Sequence, residues 1–273
     1  MPTVGLDGTR FYYEERGKGP ALILVHGTGG SAPMVAAAAG LLATSHRVIT
    51  YDRRGFGDTS CAPAPKRTYL RKHADDLALL ARELGAVPTT LVGWSWGGLV
   101  ALAAAVHHPS LFKEVVLYEP PFHIGRHMSI DVARAFAGVL ALGKLRMYER
   151  AAERFYKWAM GKKQWKSMAP ELKKRALAHA KTVVAEIQAG SGEELTPALL
   201  HRVKVPVSIV LGGGSHPAFA AAADRVVRIF PRARVVRMPH GDHVTIFKSP
   251  TVLVDAVRDA MSKDAPSTQA KDA

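Results

Sequence analysis

"TTLVGWSWGGLVALAAAVHHP", residues 89–109, sets one serine between two tryptophans and three glycines, after an apolar run and before an alanine-rich one. Thr89 to Val92 is β-branched and apolar enough for a buried strand. Leu99 to Val106 is a strong helix former that stops at His107-His108-Pro109. Ser95 therefore sits on a strand-to-helix turn. Gly93 and Gly97 flank it two residues to each side, where the segments entering and leaving a tight turn pass too close for side chains, and Gly98 lets the new helix pack against the sheet. In this setting G-x-S-x-G is a nucleophile elbow. It exposes the hydroxyl above the sheet and aims the next backbone N–H, that of Trp96, at an oxygen on the attacked carbon.

The rest of the chain supplies the sheet around that turn. "ALILVHGTGGS" from Ala21 is a strand running into a glycine loop, and "RVITYDRRGFGDTS" from Arg47 is a second strand ending in a polar turn. Past the turn come "KEVVLYEPP" from Lys113, "VPVSIVLGGGS" from Val205, a helix around Ala218 to Ile229, and "ARVVRMPHGDHV" from Ala233. Strands alternate with helices such as Ala74 to Leu84, which predicts an α/β fold with a mostly parallel central sheet and helices on both faces. Chemistry then belongs at the carboxyl edge of the sheet.

Between Phe122 and Arg202 the periodicity becomes helical without a clear strand, and the segment carries Phe136, Phe155, Tyr156, Trp158, Met160, Trp165 and Met168. This predicts a helical lid over 122–202, with residues 1–121 and 203–262 forming the core and the small, polar 263–273 a frayed tail. Trp94, Trp96 and the lid aromatics, Tyr156 and Trp158 among them, are candidate walls of an apolar pocket suited to an aromatic or medium-chain acyl group. The alternative is packing, beneath the elbow for Trp94 and of helix to core for the lid residues.

Composition narrows the class. A chain of 273 residues can bury a substantial core as one α/β domain with an insertion. Cys61 is the sole cysteine, so neither an intramolecular disulfide nor a cysteine-built metal site is available. The N-terminus lacks the pattern of a secretory signal and no apolar run is long enough to span a bilayer, so the expectation is a cytoplasmic protein that engages no membrane. Of the formal charge of +14, most lies between Lys144 and Lys181, where twelve Lys and Arg face three Glu. That segment either attracts acidic partners or is a set of solvated helix faces. No nucleic-acid-binding motif is present.

Taken in order, His26-Gly27-Thr28-Gly29-Gly30, Tyr51-Asp52-Arg53-Arg54-Gly55-Phe56-Gly57, Gly93-Trp94-Ser95-Trp96-Gly97-Gly98 and Gly241-Asp242-His243 resemble the α/β-hydrolase fold family over nearly the whole chain. The resemblance implies a serine hydrolase whose nucleophile is Ser95 and whose general base is His243, with His240 in the same loop as the alternative. It implies that Thr28 supplies the second backbone donor of an oxyanion hole beside Trp96; His26 reads as a structural residue bracing the glycine loop. Many members carry the triad acid after the penultimate strand, but here that strand runs into Gly212-Gly213-Gly214-Ser215-His216-Pro217, without a carboxylate. The other family position, the end of the strand after the elbow, holds Glu119, following four apolar residues and preceding two prolines. This resembles the subset that includes haloalkane dehalogenases and certain lactone hydrolases. Asp224, Asp242 and a structural role for Glu119 remain the alternatives.

A serine at position 95 argues against dehalogenase or epoxide hydrolase chemistry, which in those relatives uses a carboxylate nucleophile. The leading expectation is ester or lactone hydrolysis without a cofactor or metal. Perhydrolase, carbon–carbon bond hydrolase and acyl-transfer activities use the same parts, and some relatives only bind a small molecule. Oligomeric state, monomer or homodimer, is not legible.

Overall fold

The computed structural model of the chain describes residues 2–59, 70–122, 130–190 and 194–262. Cys61 and the tail 263–273 lie outside the described residues. Eight strands form one sheet: β1 (Thr3–Leu6), β2 (Thr9–Arg16), β3 (Ala21–Val25), β4 (Arg47–Tyr51), β5 (Thr89–Trp94), β6 (Phe112–Tyr118), β7 (Val207–Gly212) and β8 (Arg234–Met238). Their order is β1-β2-β4-β3-β5-β6-β7-β8. The six strands from β4 to β8 pair in parallel, and the β1–β2 hairpin adds an antiparallel edge.

The helices among the described residues are α1 (Ala36–Leu42), α2 (Leu70–Glu83), α3 (Trp96–His107), α4 (Ile130–Lys144), α5 (Tyr148–Ala159), α6 (Lys162–Ser167), α7 (Pro170–Ala178), α8 (Ala180–Ala189), α9 (Pro197–Leu200), α10 (Pro217–Ile229), α11 (Thr245–Lys248) and α12 (Pro250–Met261). Alternate strand residues feed opposite faces, as the two-residue period of a strand requires. Ile23, Val25, Leu91 and Leu117 pack under α2, α3 and α10, whereas Leu22, Leu24, Val92 and Val116 pack under α1 and α12. With both faces covered, the central strands read as unbroken apolar runs rather than alternating ones, which is why β5 is buried at every position.

The hairpin is among the elements that the sequence pattern above leaves unassigned, with α1 and α12. Leu6 pairs with Thr9 across a two-residue turn, Asp7-Gly8, and both turn residues have positive φ, 45° and 69°. Such a turn matches the twist of an antiparallel pair and selects Asp-Gly.

The chain leaves the sheet after β6 and returns at β7, and α4 to α9 fill the interval. These helices bury a small core of their own, Ala152, Tyr156, Trp165, Ala176 and Val183, which includes Phe56 from the loop after β4. Leu200 of α9 packs back into the main core. No helix among the described residues is long and apolar enough to cross a membrane.

Candidate active site

Ser95 occupies the junction of β5 and α3 with φ 54° and ψ −125°, a conformation costly for a residue with a side chain. Its neighbours hold it there. Its N–H donates to Tyr118 O at 2.8 Å, and its carbonyl accepts from Gly98 N at 2.8 Å. A methyl group on Gly93 would lie 2.5 Å from Gly97 O and from Gly98 Cα, and one on Gly97 would strike the Val25 carbonyl. The flanking glycines are therefore fixed by contact, as the spacing around the serine predicts.

His243 lies in the loop after β8. Its Nε2 is 3.2 Å from Ser95 Oγ and its Nδ1 is 2.7 Å from Glu119 Oε2. Glu119 directly follows β6, with φ 46°, and is completely buried. Its Oε1 accepts from Gly212 N at 2.8 Å and from Ser215 Oγ. A carboxylate holding these donors accepts a hydrogen bond from His243 Nδ1–H, a tautomer that leaves Nε2 with a lone pair facing the serine hydroxyl. The imidazole is fixed from several sides. Phe219 stacks on it at 4.1 Å between ring centroids and 15° between planes, and Trp94 Nε1 donates to the His243 carbonyl at 3.0 Å.

The competing residues stand elsewhere. His240 is exposed in the same loop, and Asp224 is exposed on α10. Asp242 is occupied with the Val244 N–H at 3.0 Å and with Lys248 Nζ at 2.6 Å. His107 contacts Arg71 and His108 contacts Asp75, both at the far end of α3.

The glycine loop after β3 faces Ser95, and behind it lies a buried polar network. His26 Nδ1 donates to Gly27 O at 2.8 Å while its Nε2 accepts from Arg53 N at 2.9 Å. Burial, then the Arg53 charge, hold the His26 pKa well below its ordinary value, so the ring is neutral, as this hydrogen-bond pattern also demands. The fully buried Arg53 guanidinium pairs with Glu186 of α8. His73, also buried and held neutral chiefly by desolvation, lies 4.0 Å from Glu186.

Above Ser95 is an enclosed cavity of about 30 Å³, room for about two water molecules. Thr28, Trp94, Ser95, Tyr156 and His243 line it together with Met34, Phe155, Met160, Trp165 and Met168. No Lys, Arg, Asp or Glu is among the described lining residues. Tyr156 stacks on Trp165, donates to Ala176 O at 3.1 Å, and closes over Gly29, where any side chain would collide with its hydroxyl. Trp158 stands one ring further out, against Phe136 at 5.0 Å and Phe219 at 6.1 Å. The Trp96 indole turns the other way, nearly perpendicular to the His73 ring and with the Arg53 guanidinium over its face.

The model of the α/β hydrolase fold family matches residues 20–250. The chain belongs to the α/β hydrolase fold family. Over 118 residues, 43% of this chain and 44% of the relative, it is 32% identical to the uncharacterized hydrolase YraK of Bacillus subtilis (strain 168). Over 143 residues, 50% of this chain and 44% of the relative, it is 30% identical to epoxide hydrolase 2 of Siraitia grosvenorii. The chain thus matches less than half the length of these curated relatives. Among solved structures it is similar to Est816, described as an N-acyl homoserine lactone degrading enzyme, with a TM-score of 0.76 and 20% identity over 94% of this chain and 99% of that one. At that identity the likeness is one of fold.

Within this α/β hydrolase several contributors escape the sequence reading. Ser215 was legible only as part of a glycine run, and its hydroxyl takes Oε1 of Glu119. Arg53 and Glu186 are 133 residues apart, and nothing local in either stretch announces the pair.

Proposed function

We propose that this α/β hydrolase is a serine hydrolase that cleaves a carboxylic ester or lactone through Ser95, His243 and Glu119. The observation that carries the reading is the unbroken hydrogen-bonded line from Ser95 Oγ through both ring nitrogens of His243 to Glu119 Oε2, at 3.2 and 2.7 Å. A serine hydroxyl is a weak nucleophile until a base takes its proton, and this line provides the base and orients it.

Ser95 Oγ attacks the carbonyl carbon while His243 Nε2 takes its proton. The resulting oxyanion accepts from the backbone N–H groups of Trp96 and Thr28. His243 then gives the proton to the departing alkoxide, leaving an acyl-enzyme and an alcohol; with a lactone the alcohol stays tethered to the acyl group. Water enters, loses a proton to Nε2, and releases the acid as Ser95 regains its hydrogen. Glu119 stays ionised throughout and steadies the imidazolium. The reaction calls for no cofactor.

The helices between β6 and β7 act as a cap, and the apolar lining favours a neutral acyl group. A cavity of about 30 Å³ accepts a short acyl chain with little rearrangement, whereas a medium-length or aromatic group requires α5 to α7 to move outward. Serine at position 95 sets this reaction apart from the epoxide chemistry that the name of one relative carries. Hydrolysis of p-nitrophenyl esters from acetate to octanoate, with a set of lactones alongside, tests the reading. Turnover that declines with acyl length supports it, and no turnover of any member, with Ser95 inert to an organophosphate, refutes it.

A further inference from the structure

Thr28 N–H and Gly27 C=O are the two ends of one peptide unit. A trans peptide is planar, so whatever fixes the direction of the carbonyl fixes the opposite direction of the N–H. Gly27 O receives three donors: His26 Nδ1 at 2.8 Å, Arg53 Nη2 at 3.1 Å and Gly30 N at 3.1 Å. Arg53 Nε also donates to the preceding carbonyl, His26 O, at 3.0 Å. One guanidinium thus grips two successive carbonyls of the glycine loop. Donors on an amide oxygen also polarise the amide, making its N–H a stronger donor on the far side.

The same guanidinium lies 4.8 Å from the centre of the Phe56 ring and 5.1 Å from the Trp96 ring. Trp96 carries the other backbone donor of the proposed oxyanion site. A charge with no exposed surface needs a counter-charge. The carboxylate facing it is Glu186 from α8, which meets Nη1 and, at 3.3 Å, Nη2. His26 and His73 beside it are neutral. Asp76 is committed to Arg54 at 2.8 Å and Lys72 at 3.2 Å.

We propose that Glu186, acting through Arg53, is a positioning residue for the Thr28 backbone donor, so that the seating of α8 on the core sets the strength of oxyanion stabilisation. The proposal rests on the serine-hydrolase reading above. Its consequence is that the helical insertion does more than cover the site. With Glu186 in place Arg53 is held on the Gly27 carbonyl, and with Glu186 withdrawn the guanidinium loses its counter-charge and its grip.

Replacing both partners, Arg53→Met with Glu186→Leu, tests this. Exchanging a complete buried pair for apolar residues of similar volume is commonly neutral or stabilising, so the protein should stay folded. Arg53→Lys is the second variant: it keeps the charge opposite Glu186 but lacks the planar fork that spans two carbonyls. Both are assayed on a p-nitrophenyl ester, with a trifluoromethyl ketone whose tetrahedral adduct carries an oxyanion, and with an organophosphate. Loss of a whole oxyanion donor costs about 10²–10³ in kcat, so a misdirected one is expected to cost about 10–100-fold. KM should stay within about threefold, Ki for the ketone should rise by the factor that kcat/KM falls, and labelling of Ser95 should slow. A purely structural pair would leave Ki unmoved. Either variant folded, with wild-type kcat, Ki and labelling rate, overturns the proposal while the serine reading stands. Wild-type protein that is never labelled at Ser95 overturns both.

Discussion

Glu119 Oε2 lies 2.7 Å from His243 Nδ1 across 124 residues of sequence. The contact is possible because β6 ends one strand away from β5, so the carboxylate and Ser95 emerge at the same edge of the sheet. Glu119→Gln keeps the shape but offers an amide that can force the wrong imidazole tautomer. Loss of the orienting carboxylate in a comparable triad costs about 10⁴ in kcat. A fall of that order is expected from steady-state assays of the folded variant, with Asp224→Asn close to wild type. The reverse ranking moves the acid to α10.

Ser215 is the neighbour that determines how Glu119 is held. Its hydroxyl and the Gly212 N–H share Oε1, leaving Oε2 to His243. A hydrogen bond to a charged group is worth about 1.5–3 kcal/mol, and part of that passes to the orientation of the imidazole. Ser215→Ala is expected to lower kcat about tenfold with KM nearly constant. Wild-type kcat would show that Gly212 alone suffices.

Acid should destabilise the protein well before its surface carboxylates titrate. His26 and His73 have pKa values pushed well below normal, first by burial and then by Arg53, so near pH 6.5 the unfolded chain binds protons that the folded chain refuses. Stability from this source is present above that pH and declines as pH falls. Asp52 acts oppositely, since desolvation raises its pKa to about 6 and the folded chain gains that proton first. Two histidines outweigh one aspartate, and the lowered His46, His107 and His179 add to them. The expected slope is about 1.4 kcal/mol per pH unit for each net proton. Urea midpoints measured between pH 7.5 and 5 should fall; a flat or rising series contradicts the assignment.

The basic residues between Lys144 and Lys181 lie mainly on exposed helix faces, and none lines the cavity above Ser95. A neutral ester should therefore be preferred over one with a carboxylate in its acyl group. Added salt, which screens exposed charges beyond about 10 Å at 0.1 M, should change kcat/KM for the neutral ester little, because that substrate carries no charge to be steered. A preference for the charged ester that collapses in salt would assign the segment to substrate steering.

What the sequence reveals follows from how local each feature is. The elbow is contiguous, so its strand, glycines and helix can be read together, and Glu119 stands out because a carboxylate closes an apolar strand before Pro120 and Pro121. The pocket walls are harder. Tyr156 and Trp158 are two positions apart on α5, about 200° around a helix, so both cannot face one cavity. Tyr156 lines it and Trp158 turns toward Phe136. Only packing decides which. The same holds for Arg53 and Glu186, whose pairing depends on where α8 settles.

The most direct test is the reactivity of Ser95. Wild-type protein treated with a fluorophosphonate should gain the mass of one phosphonyl group, mapped by peptide analysis to Ser95. Ser95→Ala, which removes a single oxygen, should stay folded, take up no label and hydrolyse esters at least about 10³-fold more slowly. Ester hydrolysis by Ser95→Ala within a few-fold of wild type, or labelling at another residue with Ser95 untouched, would contradict the serine-nucleophile reading.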